Sequence, residues 1–252
     1  MTVAPSAQFE GAAAESALLG GRVRLRQPVK GYRAGMDAAL LAATVEAGPG
    51  QRVIEAGCGA GAVMMQIAAR RAGISLTGLE RDAAMAALAR DNAVLNGADA
   101  SIIEGDVAAG FRALDLPPFD WAVSNPPFFD DPGALRAPAE GKRGAWMADD
   151  GLKAWTNFLL KSVREGGRIV VIHRADRLAD LLALLGETAG SFAVRGVHPH
   201  ADEPAKRVLV QAIKTGKAPL RLLPPLVLHD RAGAKHTAEA EAILRGEAGL
   251  GW

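Results

Sequence analysis

Between residues 51 and 185, short apolar runs alternate with longer helix-like ones, and this alternation narrows the fold more than any other feature of the chain. Residues 51–56, 74–80, 100–104, 119–123 and 168–172 have the length and composition of strands. Residues 60–72, 83–96, 151–164 and 175–185 read as helices, the second stopped by Gly97 and the third by Glu165-Gly166-Gly167. Two later runs, 191–198 and 206–213, lie close enough to pair as an antiparallel hairpin. Together they predict an α/β fold: a Rossmann-like, mostly parallel sheet with right-handed crossovers, helices on both faces and an antiparallel strand near the C-terminus. Ligands bind such sheets beyond the carboxyl ends of the strands. The turns after Ala56, Leu79, Glu104 and Val123 are therefore where chemistry is expected.

The first of these turns is EAGCGAGA, residues 55–62. Gly57, Gly59 and Gly61 let the backbone turn sharply and let a ligand approach with no Cβ in the way. Two cofactors compete for it. Gly57, Gly59 and Ala62 satisfy the dinucleotide pattern G-x-G-x-x-G/A, and an acid, Glu80, follows about 20 residues on, as a nicotinamide cofactor requires. The other candidate is S-adenosylmethionine, which carries an ammonium and a sulfonium. Carboxylates suit those cations, whereas a pyrophosphate prefers a helix N-terminus free of acids. Glu55 at the first turn suits the amino group, Glu80 after the second strand the ribose hydroxyls, and Asp106 after the third the adenine amine. Taken singly, each acid is equally well explained as a helix cap or a solvated loop charge. Three at successive strand ends favour the sulfonium ligand. Cys58 has no nearby His to activate it and reads as a small buried side chain.

The fourth turn is VSNPPFFDDP, residues 123–132. Two adjacent prolines end a strand ladder and fix the backbone. The Asn125 side chain and the Pro126 carbonyl then point at one place, which can take both hydrogens of an exocyclic NH2. Accepting them raises electron density at the nitrogen and aims its lone pair at a methyl donor. Phe128 offers a face on which a base can stack, worth roughly 1–3 kcal/mol, as a flipped-out or single-stranded nucleotide requires. Phe129 reads as packing or a second substrate contact. Displacement at a sulfonium methyl is helped chiefly by orientation, so no general base is needed. Residues 130–149 carry Arg136, Lys142 and Arg143 and read as a loop that orders on RNA.

Net charge is only +1, but its distribution is uneven. Residues 22–33 hold five basic side chains and no acid, and residues 195–235 hold eight Lys/Arg against three Asp/Glu. Residues 34–150 hold nine basic and sixteen acidic side chains. Basic flanks around an acidic middle fit a polyanion on one face, or ordinary solvated surface. One cysteine and five scattered histidines give no metal-site spacing, so no metal is expected. Residues 1–20 read as a loose tail without the pattern of a signal peptide, and no run is long and apolar enough to suggest a membrane span. A cytoplasmic setting follows. Residues 21–27 alternate like an edge strand, and Asp37 is placed to cap a helix over 38–46.

These residues carry a resemblance. The 55–61 turn resembles motif I, and Asn125-Pro126-Pro127-Phe128 motif IV, of the class I S-adenosylmethionine-dependent amino-methyltransferases. Residues 20–43 (GGRVRLRQPVKGYRAGMDAALLAA) and 224–244 (PPLVLHDRAGAKHTAEAEAIL) are similar to the flanks of the bacterial tRNA (valine) adenine-N(6)-methyltransferases. The resemblance spans roughly residues 18–245 and implies a seven-stranded sheet and a tRNA substrate. It divides the domain into a leading segment (21–50), a catalytic core (51–215) and a C-terminal strand and helix (216–252). It assigns Glu55, Gly57, Gly59, Gly61, Glu80 and Asp106 to the cofactor, with Asn125 beside it. Asn125, Pro126 and Phe128 go to the adenine. Tyr32, Arg33 and Asp37 lie in the leading segment, which closes over the cofactor in such enzymes. Two other readings stay open: methylation of a protein glutamine amide, whose motif IV usually ends in Tyr, and a nicotinamide oxidoreductase. A non-catalytic RNA-binding module would require a broken glycine turn or motif IV, and neither is broken.

Overall fold

A computed structural model describes residues 12–29, 34–127, 148–231 and 233–252. The strands are β1 (Ala13–Leu18), β2 (Val23–Pro28), β3 (Arg52–Ala56), β4 (Ser75–Glu80), β5 (Ala100–Glu104), β6 (Phe119–Ser124), β7 (Val163–Arg174), β8 (Ala189–His198), β9 (Arg207–Lys214), β10 (Arg221–Leu222) and β11 (Leu226–Val227). The helices are α1 (Met36–Ala43), α2 (Ala62–Arg70), α3 (Ala83–Leu95), α4 (Ala148–Ser162), α5 (Leu178–Leu185) and α6 (Ala238–Arg245).

Seven strands form the body of the main sheet in the order β8-β9-β7-β6-β3-β4-β5, and the two-residue β10 and β11 run along β8. The pairs β3–β4, β3–β6, β4–β5 and β6–β7 are parallel, while β9 is antiparallel to both β7 and β8. The expected seven-stranded α/β sheet is therefore present, with its antiparallel strand where the chain was read to place it.

Alternation along the strands divides the core in two. Val53, Trp121, Val123, Val170 and Ile172 pack with residues of α1, α2 and α6 on one face. Ile54, Ala122, Ile169 and Val171 pack with those of α4 and α5 on the other.

Two expectations need correction. Residues 13–18 are not tail: they form β1, paired antiparallel with β2. Glu15 stands opposite Arg26 and bonds both Arg24 and Arg26, at 2.8 and 3.4 Å. The strand is set by its partner and not by the weak β preference of AAESAL. The second correction is Asp37. The N-cap of α1 is Gly35, and Asp37 lies in the first turn, where it accepts a 2.9 Å bond from Arg207 Nε at the start of β9. Among the described residues no helix is long and apolar enough to cross a membrane, and no group of three or more His, Cys, Asp or Glu is placed to hold a metal ion.

Candidate active site

Adjacent strands β6, β3, β4 and β5 carry the four turns singled out by the sequence, so their candidate residues stand in a row along the carboxyl edge of the sheet. Ala56 is paired with Ser124, and Glu80 with Glu104. The Ser124 hydroxyl donates to the Ala56 carbonyl at 2.9 Å in a buried bond that locks the end of β6 to the end of β3. Asn125 follows directly and faces the glycine turn. One cleft is lined by Glu55, Gly57, Cys58, Ala60, Ala62 and Val63 from β3 and its turn, by Met85 of α3, by Asn125, and by Gln27, Ala34 and Ala38 from the leading segment.

The glycine turn is built to be close-fitting. Gly57, Gly59 and Gly61 have φ of +70°, +55° and +82°. A Cβ on Gly57 would lie 2.3 Å from the Trp155 ring of α4, so this position excludes side chains on two counts. The N–H groups of Gly57 and Cys58 both donate to the Leu79 carbonyl, at 2.8 and 3.0 Å, and that of Gly61 to the Cys58 carbonyl at 2.9 Å. The N–H of Gly59 donates to Glu80 Oε2 at 2.8 Å. These four amides are satisfied inside the protein, one of them by a carboxylate. A pyrophosphate needs such amides open and uncharged neighbours, so the turn does not suit a dinucleotide.

Glu80 is buried at the end of β4, and its second oxygen accepts from the Asp82 N–H at 3.0 Å. Both oxygens are thereby fixed, and each keeps a lone pair for a further donor. Glu55 is 3% exposed and lines the cleft. Asp106 caps the 3-10 turn Val107–Ala109, its Oδ1 accepting from Ala108 N–H at 2.9 Å. Cys58 is buried and fits beneath Gly78, where a Cβ would approach its Sγ to 2.7 Å, which gives it the packing role expected.

Glu55, Gly57 and Asn125 thus share one cleft, Gly59 and Gly61 shape the turn above it, and Glu80 and Asp106 lie at the next two strand ends. Pro126, next in the chain after Asn125, is buried. Asp37 is tied to Arg207. Tyr32, Arg33, Phe128, Phe129, Arg136, Lys142 and Arg143 lie outside the described residues, as does the loop expected to order on RNA. Sequence reading missed Gln27 and Met85. Gln27 had a signal: in β2 it continues the buried alternation of Val23 and Leu25, and a polar side chain at such a position calls for partners. Its Oε1 accepts from Ala34 N–H at 2.7 Å, and its Nε2 donates to Ser16 Oγ at 3.2 Å.

Comparison with known proteins agrees with this architecture. Residues 33–137 match the family model for the methyltransferase small domain. The chain is 28% identical over 194 residues to a tRNA1(Val) (adenine(37)-N6)-methyltransferase of Dickeya chrysanthemi, covering 76% of each chain. It is 31% identical over 162 residues to a release factor glutamine methyltransferase of Xylella fastidiosa, covering 58% of this chain and 55% of the other. Among solved structures, a predicted O-methyltransferase from Agrobacterium tumefaciens (protein Atu636) is 28% identical with a TM-score of 0.69, covering 86% of this chain and 99% of that one. The cofactor is S-adenosylmethionine, in keeping with solved class I methyltransferases that share the fold. The chain is an S-adenosylmethionine-dependent methyltransferase of the small-domain type.

Proposed function

We propose that this enzyme methylates the exocyclic N6 amine of an adenine in tRNA, next to the anticodon of a valine tRNA. The observation that carries the reading is the position of Asn125. The Ser124–Ala56 bond sets it against the glycine turn, in the cleft that also holds Glu55. The donor set fits the cofactor: buried carboxylates beside a turn with no side chain at Gly57. When bound, S-adenosylmethionine supplies an electrophilic methyl group on a sulfonium. Glu55 is assigned to its ammonium, Glu80 to its ribose hydroxyls and Asp106 to its adenine amine. Gly57, Gly59 and Gly61 are assigned to its close approach.

Asn125 Oδ1 and the Pro126 carbonyl accept the two amine hydrogens of the target base, which orients the nitrogen lone pair. Phe128 stacks on the base. The proton is released to water after transfer. Tyr32, Arg33, Phe129, Arg136, Lys142 and Arg143 are assigned to contacts with the RNA, and the cytoplasm is the compartment for such a reaction. The similarity to the tRNA enzyme over 76% of both chains supports this substrate, as do the basic flanks.

A protein glutamine amide also presents a planar NH2, and the Xylella glutamine methyltransferase favours it as the second reading. Cell extract incubated with the enzyme and methyl-labelled cofactor separates the two. Label released by ribonuclease and recovered as N6-methyladenosine supports tRNA; label released only by protease supports the amide.

A further inference from the structure

The β1–β2 hairpin forms one wall of the cofactor cleft, through Gln27. Its attachment to the domain is unusual. In the hairpin register Arg24 and Arg26 face Ala17 and Glu15, and their own N–H and C=O groups turn to the outer edge of β2. Among the described residues no strand pairs there. Instead the end of α3 presents two asparagines one turn apart, Asn92 and the C-cap Asn96. The N–H of Arg26 donates to Asn92 Oδ1 at 2.8 Å, and Asn92 Nδ2 returns a bond to the Arg26 carbonyl at 2.9 Å. Asn96 repeats the pattern on Arg24, accepting from its N–H at 3.0 Å and donating to its carbonyl at 2.7 Å. A side-chain amide has the donor and acceptor of a peptide group, so the two asparagines act as a substitute strand.

The two then differ. The second hydrogen of Asn96 Nδ2 goes to the Asn92 carbonyl at 2.7 Å, at the C-terminal end of α3. The second hydrogen of Asn92 Nδ2 goes to the carbonyl of Ala60 at 2.9 Å, inside the glycine turn. Asn92 is fully buried. One side chain therefore joins both walls of the cleft, the glycine turn and the hairpin, while its neighbour holds the hairpin alone.

We propose that Asn92 is a positioning residue for cofactor binding: its amide fixes the β1–β2 hairpin to the glycine turn, so the two walls hold S-adenosylmethionine as one unit. Asn96 fastens the same hairpin with no link to the turn, and serves as the internal control.

The test measures binding of S-adenosylhomocysteine by calorimetry, alongside thermal stability, in Asn92→Asp, Asn92→Ser and Asn96→Ser. No methyl acceptor is involved, so failure of the tRNA assignment leaves the result intact. Asn92→Asp keeps the acceptor and removes both donated bonds. Asn92→Ser places no charge in the core and carries the test if the aspartate variant does not fold. Loss of a buried hydrogen bond on the binding wall predicts about a tenfold weaker Kd for the Asn92 variants. Asn96→Ser should lower the melting temperature with its Kd left close to wild type. Asn92 variants that lose stability but bind as tightly as Asn96→Ser would overturn the proposal and leave Asn92 a structural residue only.

Discussion

Glu80 Oε2 accepts the backbone N–H of Gly59 at 2.8 Å, so the acid that ends β4 also holds the turn that follows β3. Its other oxygen accepts from Asp82 N–H, where α3 begins. One carboxylate thus organises two of the turns at the carboxyl edge of the sheet. Glu80→Ala leaves two amide hydrogens without their acceptor and should cost about 1–3 kcal/mol of stability. It should also weaken S-adenosylhomocysteine binding at least tenfold on the scale of one charged hydrogen bond. Chemical denaturation and calorimetry read the two effects separately.

Gly57 is confined both by its φ of +70° and by Trp155. Gly57→Ala should destabilise by about 2 kcal/mol or more, through overpacking and left-handed strain. In a Trp155→Leu background the steric part should shrink while the backbone part persists. A double-mutant cycle in urea measures this, and strict additivity would contradict the contact.

His173, near the carboxyl end of β7, has its pKa pushed down to about 4 by burial first, and then by Arg177, Arg174 and Arg207, with Asp176 opposing. The unfolded chain takes up this proton near the ordinary value of 6.5. The neutral ring's contribution to stability is therefore complete above that value and is lost as pH falls toward 4. Linkage gives a loss of about 2 kcal/mol between pH 7.5 and pH 5 from this group. His173→Gln should flatten the stability profile across that window. An unchanged slope would assign the acid sensitivity to other groups.

Most strands of the main sheet were legible because they are short, apolar and bounded by a turn; β7 is longer, running from Val163 through Glu165-Gly166-Gly167 to Arg174. The carboxyl-edge rule then pointed to four turns, two of which line the cleft. Glu55, Gly57 and Asn125 share a cleft for that reason. Strand β1 was not legible, since AAESAL carries little β signal and gains its form from β2. Asp37 sat at a plausible cap position, yet its partner, Arg207, is 170 residues away. The Asn92 and Asn96 latches span 66 and 72 residues of sequence, and in the sequence both look like ordinary polar positions on a helix. Local pattern reports elements and turns. Side chains that bond the backbone of a distant element leave no local trace.

The central claim is that Asn125 orients an adenine amine beside the cofactor. The most direct measurement is methyl transfer from labelled S-adenosylmethionine to valine tRNA by Asn125→Ala, with S-adenosylhomocysteine affinity measured on the same preparation. Loss of a contact that acts at the reacting nitrogen predicts a fall in kcat of about 100-fold or more, with cofactor affinity largely kept and N6-methyladenosine the product of the wild-type enzyme. Full activity in the variant would contradict the account.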